Sequence, residues 1–140
     1  MEWKEALPLL QENHTGVAIS VTPKGRAQAT IVSTAVLDGK VGFASRDHTV
    51  KAKNIQRTGR ATVTVVKLDT RRYVTVEGPA SIEPWQDTPL HIKRLKDLYV
   101  AMGRAPKGTD EQFAQQMRDE KRNLVLVTPE SVYGSLRAGA

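Results

Sequence analysis

Thr49, Lys51 and Asn54 lie within six residues of one another in the segment Ser45–Val65 (SRDHTVKAKNIQRTGRATVTV). The segment reads as the end of a strand, a polar turn, a short basic helix closed by Gly59, and the β-branched start of another strand. At the start of such a helix the backbone N–H groups are free, and the positive end of the helix dipole faces outward. Thr49 adds a hydroxyl, Lys51 an ammonium and Asn54 an amide, so the chemistry this spacing offers is capture of a phosphate-bearing ligand. Between Arg46 and Arg60 there are five basic side chains and one acid, which concentrates positive charge at the same place. The same residues also suit a solvated amphipathic helix with Val50 and Ile55 inward and the lysines outward.

Few other residues have the types or spacing for chemistry. Ser33 and Thr34 sit in a β-branched run, where their hydroxyls could bond the edge of a planar ring or satisfy themselves as ordinary strand residues. His14, His48 and His91 are far apart and lack metal-ligand spacing. Glu77, in VTVEG, is placed either as a general base or as a surface partner. The chain has no cysteine, and neither a GxSxG elbow nor a GxxxxGK[ST] or GxGxxG loop occurs. An enzyme made from these residues would leave the reaction to a bound cofactor and supply position and electrostatics.

The elements that must hold these residues follow from periodicity. Trp3, Ala6, Leu7 and Leu10 have helical spacing and predict a first helix ending near Asn13. Thr15–Thr22 alternates as a strand, Pro23-Lys24-Gly25 turns, and Arg26–Leu37 returns as a second arm. Asp38-Gly39 is a hairpin signal leading into Lys40–Ser45. A helix over Thr49–Thr58, strands over Arg60–Lys67 and Arg72–Ile82, and helices over His91–Met102 and Thr109–Glu120 come next. Asn123–Val127 and Ser131–Ser135 close the chain as apolar runs divided by Thr128-Pro129-Glu130, where the proline requires an edge, bulge or kink. Short connections favour antiparallel pairing, so about six antiparallel strands with scattered helices predict a mainly β fold, a small barrel in one domain spanning 1–140.

Composition narrows the function classes. The 140 residues carry 21 basic and 15 acidic side chains, a net charge of +6, which suits a polyanionic partner or simple solubility. Aromatics are 5% of the chain, and no basic strand is interleaved with them, so nucleic acid is not expected as a partner. No apolar run approaches a membrane span, and the N-terminus MEWKEALPLL lacks the basic start of a signal peptide; a cytoplasmic protein is expected.

Three stretches, in order, resemble the pyridoxamine 5'-phosphate oxidase-like, flavin-binding split β-barrel superfamily. KAKNIQRTGRATVTV is similar to its K-x-x-N-L-x-x-x-P-R-A pattern, with Gly59 at the usual proline. RYVTVEGPASI is similar to its V-x-V-E-G-x-A strand, and NLVLVTPESVYG to its closing strand. The R-x-V-L-L-K strand and basic C-terminal motif of the true oxidases are absent: the equivalent strand reads RAQATIVSTAV and the chain ends SLRAGA. The KAKN helix and VYG ending look more like the branch that uses the deazaflavin coenzyme F420.

The resemblance implies a six-stranded antiparallel split β-barrel and a homodimer with a cofactor in a groove between subunits. It implies Lys51 and Thr49 on the cofactor phosphate, with Asn54 in the same helix, and Val32, Ser33, Ala44, Ser45 and Arg46 along the deazaflavin and its ribityl chain. Thr49 stands where close relatives often have arginine, which passes the phosphate grip to Lys51 with Arg46 or Lys53. The function it implies is an F420H2-dependent reductase of an electron-poor small molecule: a quinone, an enone or a tetrapyrrole such as biliverdin. The alternatives are an FMN-dependent oxidoreductase on the same fold and a non-catalytic F420 carrier. No catalytic acid is marked by the motifs, although Tyr73 or Tyr133 could donate a proton as well as pack.

Overall fold

The computed structural model describes residues 1–104 and 106–138. Helix α1 (Trp3–Glu12) starts with a reciprocal capping box between Glu2 and Glu5 and buries Ala6, Leu9 and Leu10. Strands β1 (Thr15–Val21), β2 (Ala27–Ser33), β3 (Ala35–Leu37) and β4 (Lys40–Arg46) follow, then α2 (Val50–Thr58), β5 (Arg60–Lys67) and β6 (Arg72–Glu83). Helices α3 (Pro89–Ala101) and α4 (Asp110–Glu120) precede β7 (Arg122–Val127) and β8 (Ser131–Ser135). All strand pairs are antiparallel, in the order β2-β1-β5-β6-β7-β4-β3, with β8 beside β6.

Eight strands replace the six expected, because two of the expected strands are each divided in two. Arg26–Leu37 divides at Thr34. Its first part, β2, pairs with β1, and its second part, β3, pairs with β4. Thr34 is fixed at the break by its N–H to the His14 carbonyl (2.9 Å) and by its own carbonyl 2.9 Å from His14 Nδ1. The two ends of the strand path are therefore consecutive in the chain, which obliges the sheet to curl into a barrel. The second division falls at Pro129, which has no N–H for the ladder. β7 lies on Ala80–Glu83 and β8 on Tyr73–Glu77, so the 12-residue β6 serves both. Thr128 and Glu130 donate to the Pro79 and Glu77 carbonyls at 2.8 and 3.1 Å. Gly78 permits this crossing, since a Cβ there would sit 1.9 Å from the Thr128 carbonyl oxygen.

Two apolar clusters hold the fold. Inside the barrel, Val41, Phe43, Val63, Val65, Val74, Val76, Val125 and Val127 pack with Leu10 and Ile55. On the opposite face of β4 and β7, Leu124 and Leu126 pack with Leu95 and Leu98 of α3 and with Phe113 and Met117 of α4. β7 is thus buried on both faces, which explains why NLVLV is a continuous apolar run rather than an alternating one.

Candidate functional site

The strand pairing itself opens a cleft. Ala35↔Gly42 is the last pair between β3 and β4, and beyond it β2 turns away to β1. Ser33 and Ala44, which would pair two positions further on in that register, face a gap instead. Along the gap, Ile31–Ser33 and Ala44–Arg46 present strand edges that no ladder occupies, because β2 pairs only with β1 and this part of β4 only with β7. The result is a cleft of about 260 Å3 lined by Ile31, Val32, Ser33, Ala44, Lys51, Tyr99, Met102, Arg104 and Arg122.

Helix α2 brings in Lys51. Thr49 caps the helix by accepting from the Ala52 N–H (3.3 Å) and donates its own hydroxyl to the Arg46 carbonyl (2.8 Å). Gly59 ends it in the left-handed region at φ 67°, with its N–H on Ile55. Ala52, Asn54 and Ile55 are the buried face, whereas Val50, expected inward, is 58% exposed. Asn54 points into the protein, donating to Ser20 Oγ (3.1 Å) and accepting from Arg57 (3.0 Å). Lys51, one position off that face, is half-buried and reaches the cleft.

The turn before α2 is tied to β7 by a buried network. Asn123, fully buried, accepts from the Ser45 hydroxyl (2.6 Å) and the Ser45 N–H (3.2 Å), and its amide donates to Asp47 (2.7 Å). Of the residues singled out in the sequence, Val32, Ser33, Ala44 and Lys51 thus line one cleft. The Ser45, Thr49 and Asn54 side chains are engaged in protein hydrogen bonds, and Arg46 is exposed at the end of β4, opposite Arg122 in the register.

Tyr99, Met102, Arg104 and Arg122 also line the cleft, and motif reading did not find them. They come from α3, the segment after it and the start of β7, about 50 to 70 residues beyond Lys51. Their only sequence signal was weak: Arg122 is the last charge before the apolar β7 run. Tyr99 stands edge-on to Phe113, with ring centroids 5.7 Å apart, and its hydroxyl has no hydrogen-bond partner among the described residues. Tyr73 and Tyr133, the two tyrosines weighed as proton donors, are not among the residues that line the cleft.

The electrostatics of the cleft are one-sided. Three cations line it and no acid does. Arg122 has an ion pair with Glu120 (3.1 Å), while among the described residues the Arg104 side chain is bonded only to the neutral Ser33 hydroxyl (3.1 Å) and Lys51 has no salt bridge. Burial, and then repulsion from Arg122, push the Lys51 ammonium below its usual value of 10.5. Burial raises the Tyr99 hydroxyl above its usual value, with Arg122 and Arg104 partly opposing. A bound anion would relieve the unfavourable charge at Lys51.

Glu77 and His91 have structural partners. Glu77 and Glu130 share Arg60, each at 2.7 Å. His91 is 2.9 Å from the Arg122 carbonyl and edge-on to Trp85. Among the described residues no group of histidine and carboxylate side chains could hold a metal ion, and no helix is long and apolar enough to cross a membrane.

Residues 3–135 match the family model described as pyridoxamine 5'-phosphate oxidase. Among solved structures, a conserved hypothetical protein from Mycobacterium tuberculosis is 23% identical with a TM-score of 0.74, covering 96% of this chain and 84% of that one. A protein titled F420 reductase is 22% identical with a TM-score of 0.65, covering 90% and 94%. An FMN-binding, pyridoxamine 5'-phosphate oxidase-related protein from Nostoc punctiforme is 18% identical with a TM-score of 0.67, covering 94% and 82%. A heme-binding protein from Mycobacterium smegmatis also has this fold. At these identities the likeness is one of fold. No curated protein matches the sequence.

Proposed function

The chain belongs to the pyridoxamine 5'-phosphate oxidase family, and on that premise we propose that it is an F420H2-dependent reductase whose cofactor occupies the seam between β2 and β4. The observation that carries this reading is the one-sided charge of the cleft, where Lys51 and Arg122 stand together with no acid in the lining. F420 carries a phosphate and a carboxylate tail, so the residues present fit it. β2 has no basic residue between Ala27 and Ser33, which leaves the anionic end of the ligand to α2 and β7.

Each part of the cleft has a task in this reading. Lys51 and the first-turn N–H groups of α2 bind the phosphate, with Arg122 beside them. The open backbone edges of Ile31–Ser33 and Ala44–Arg46 orient the polar edge of a planar ring, and Ser33 adds a hydroxyl. Val32, Ala44 and Met102 exclude water from the ring. When bound, the reduced deazaflavin supplies a hydride to an electron-poor acceptor such as a quinone, an enone or a tetrapyrrole. Tyr99 presents a hydroxyl to the cleft that has no hydrogen-bond partner among the described residues and whose pKa burial raises above its usual value.

We place a second copy of the chain over the exposed side of β2, where Ala27, Ala29 and Ile31 face solvent and Ile31, at 77% exposure, borders the cleft. A homodimer of that kind would close the cofactor groove.

FMN is the second reading, because its phosphate would suit the same Lys51 and Arg122. Titration of F420 and FMN into the purified protein, followed by the polarisation of their own fluorescence, separates the two. F420 is expected to bind in the micromolar range or tighter. Tight FMN binding with no F420 binding would overturn the reading. Oxidation of F420H2 with a panel of quinones, enones and tetrapyrroles then distinguishes a reductase from a carrier, which would bind without turnover.

A further inference from the structure

We infer that Arg104 and Tyr99 form a separate subsite on the α3 side of the cleft, one that takes the carboxylate of the molecule being reduced. The inference rests on the proposed reductase reading and narrows its acceptors to electron-poor carbonyl compounds that carry a carboxylate.

The first support is the state of Arg104 within the cleft. Arg60, Arg94 and Arg118 each bridge two carboxylates, and Arg122 holds one. Arg104, in the segment after α3, has no carboxylate partner among the described residues, as is also true of Arg26, Arg46, Arg57, Arg71, Arg72 and Arg137, and of these Arg104 alone lines the cleft. Its recorded bond is one N–H to the neutral Ser33 hydroxyl, at 3.1 Å. A guanidinium has five N–H donors in a planar fork that matches a carboxylate, so the charge and most of the donors remain available.

Position is the second support. Arg104 is anchored at Ser33, the end of β2 where the seam begins, whereas Lys51 rises from the first turn of α2 beyond the end of β4. Arg122 is the neighbour that depresses Lys51, and Arg104 is not among the groups acting on it. The cations therefore form two groups, Lys51 with Arg122 and Arg104 apart from them, with the Tyr99 hydroxyl under the influence of both arginines. One phosphate fills the first and leaves the second uncompensated.

Tyr99 supplies a further donor. Its ring is fixed edge-on to Phe113, and its hydroxyl is free of protein partners among the described residues. A phenol and a guanidinium that line the same cleft would hold a carboxylate with two kinds of donor. No proton or electron need move at this subsite; it selects and orients.

The test uses a matched pair of ligands, an aryl enone bearing a carboxylate and its methyl ester. Each is titrated by NMR chemical-shift perturbation into the full-length protein, first without and then with cofactor. The acid is expected to bind at least tenfold more tightly than the ester in both states. Arg104→Met should abolish that preference, Arg104→Lys should restore part of it, and neither should alter the affinity for F420. In turnover, Arg104→Met should raise KM for the acid and leave the ester unchanged.

Three results would overturn the inference. One is equal affinity for acid and ester. Another is an acid preference that survives Arg104→Met and disappears in Lys51→Met, which would put the carboxylate on the phosphate side. The third is a loss of F420 affinity in Arg104→Met, which would give Arg104 to the cofactor. Failure of the F420 reading shows in the cofactor titration, whereas the acid and ester titration without cofactor judges the subsite alone.

Discussion

Two charged hollows lie on either side of α3, and they differ in one respect. The groove between α3 and α4 is the larger, about 510 Å3, and is lined by Lys93, Lys96, Asp110, Glu111 and Arg118 over Ile92 and Phe113. The cleft at the β2–β4 seam is about half that size. In the groove every cation has its carboxylate: Lys93 with Asp97 (2.9 Å), Lys96 with Asp110 (2.7 Å), and Arg118 with Asp87 and Glu111 (both 3.1 Å). In the cleft, Lys51 and Arg104 have none among the described residues. Volume alone would select the groove, but its charges are already neutralised and offer an anion little. Charge left unpaired in a partly dry cleft is what a ligand can exploit.

Substitutions on the two sides should separate sharply. Lys51→Met is expected to weaken binding of a phosphate-bearing cofactor by about 10–100-fold, the equivalent of one charge-assisted contact of about 1.5–3 kcal/mol. Fluorescence polarisation measures it, and an unchanged affinity would remove the cleft from consideration as the phosphate site. The melting temperature should not fall, because the lysine is desolvated and repelled by Arg122 in the free protein.

Asn123→Ala tests the support of the cleft rather than its charge. It strips partners from the Ser45 hydroxyl, the Ser45 N–H and Asp47. Denaturant unfolding should show a loss of about 1–3 kcal/mol, the cost of buried polar groups left unpaired. Cofactor affinity should drop severalfold as the turn before α2 loosens. If stability falls with no change in affinity, the network holds the fold alone.

A pH series sharpens the assignment of Lys51. Its folded pKa lies below the unfolded 10.5, so the charged form is disfavoured in the folded chain below the folded pKa. That cost is relieved as pH rises through the folded value toward 10.5, and this one residue then favours the folded state more. Anion binding has the opposite dependence, since it needs the ammonium. Affinity should stay level below the folded pKa and decline as pH rises through it, at a lower pH than an ordinary surface lysine would give. Isothermal titration across the alkaline range checks this, and Lys51→Met should flatten the curve.

The groove supplies the smallest effect. Lys96→Met and Arg118→Met break exposed pairs, which contribute little to stability. Neither melting temperature nor cofactor affinity should change measurably. A loss of cofactor affinity in either variant would reverse the ranking of the two hollows.

Much of this molecule is legible in its sequence, and the legible part is local. Thr49 as a cap and Gly59 as a left-handed stop bound α2 within one or two residues, because capping and φ depend on neighbouring atoms. Alternation placed β1, β5 and most of β6, and Pro129 marked the division between β7 and β8. Asn54 shows where local reading stops. Its place one turn into a basic helix suits a ligand contact, yet it faces Ser20 on β1, and only the packing of helix on strand decides that.

The motifs around Lys51, VTVEG and VYG determined the family and the strand that leads to the anion site. They could not determine the other half of the cleft. Tyr99, Arg104 and Arg122 are remote in the chain and converge because β7 lies between β4 and β6 while α3 packs across β3 and β4. A lysine's presence is a property of sequence. Whether its charge is paired, buried or free depends on which distant side chains arrive beside it, and that was decided by tertiary structure.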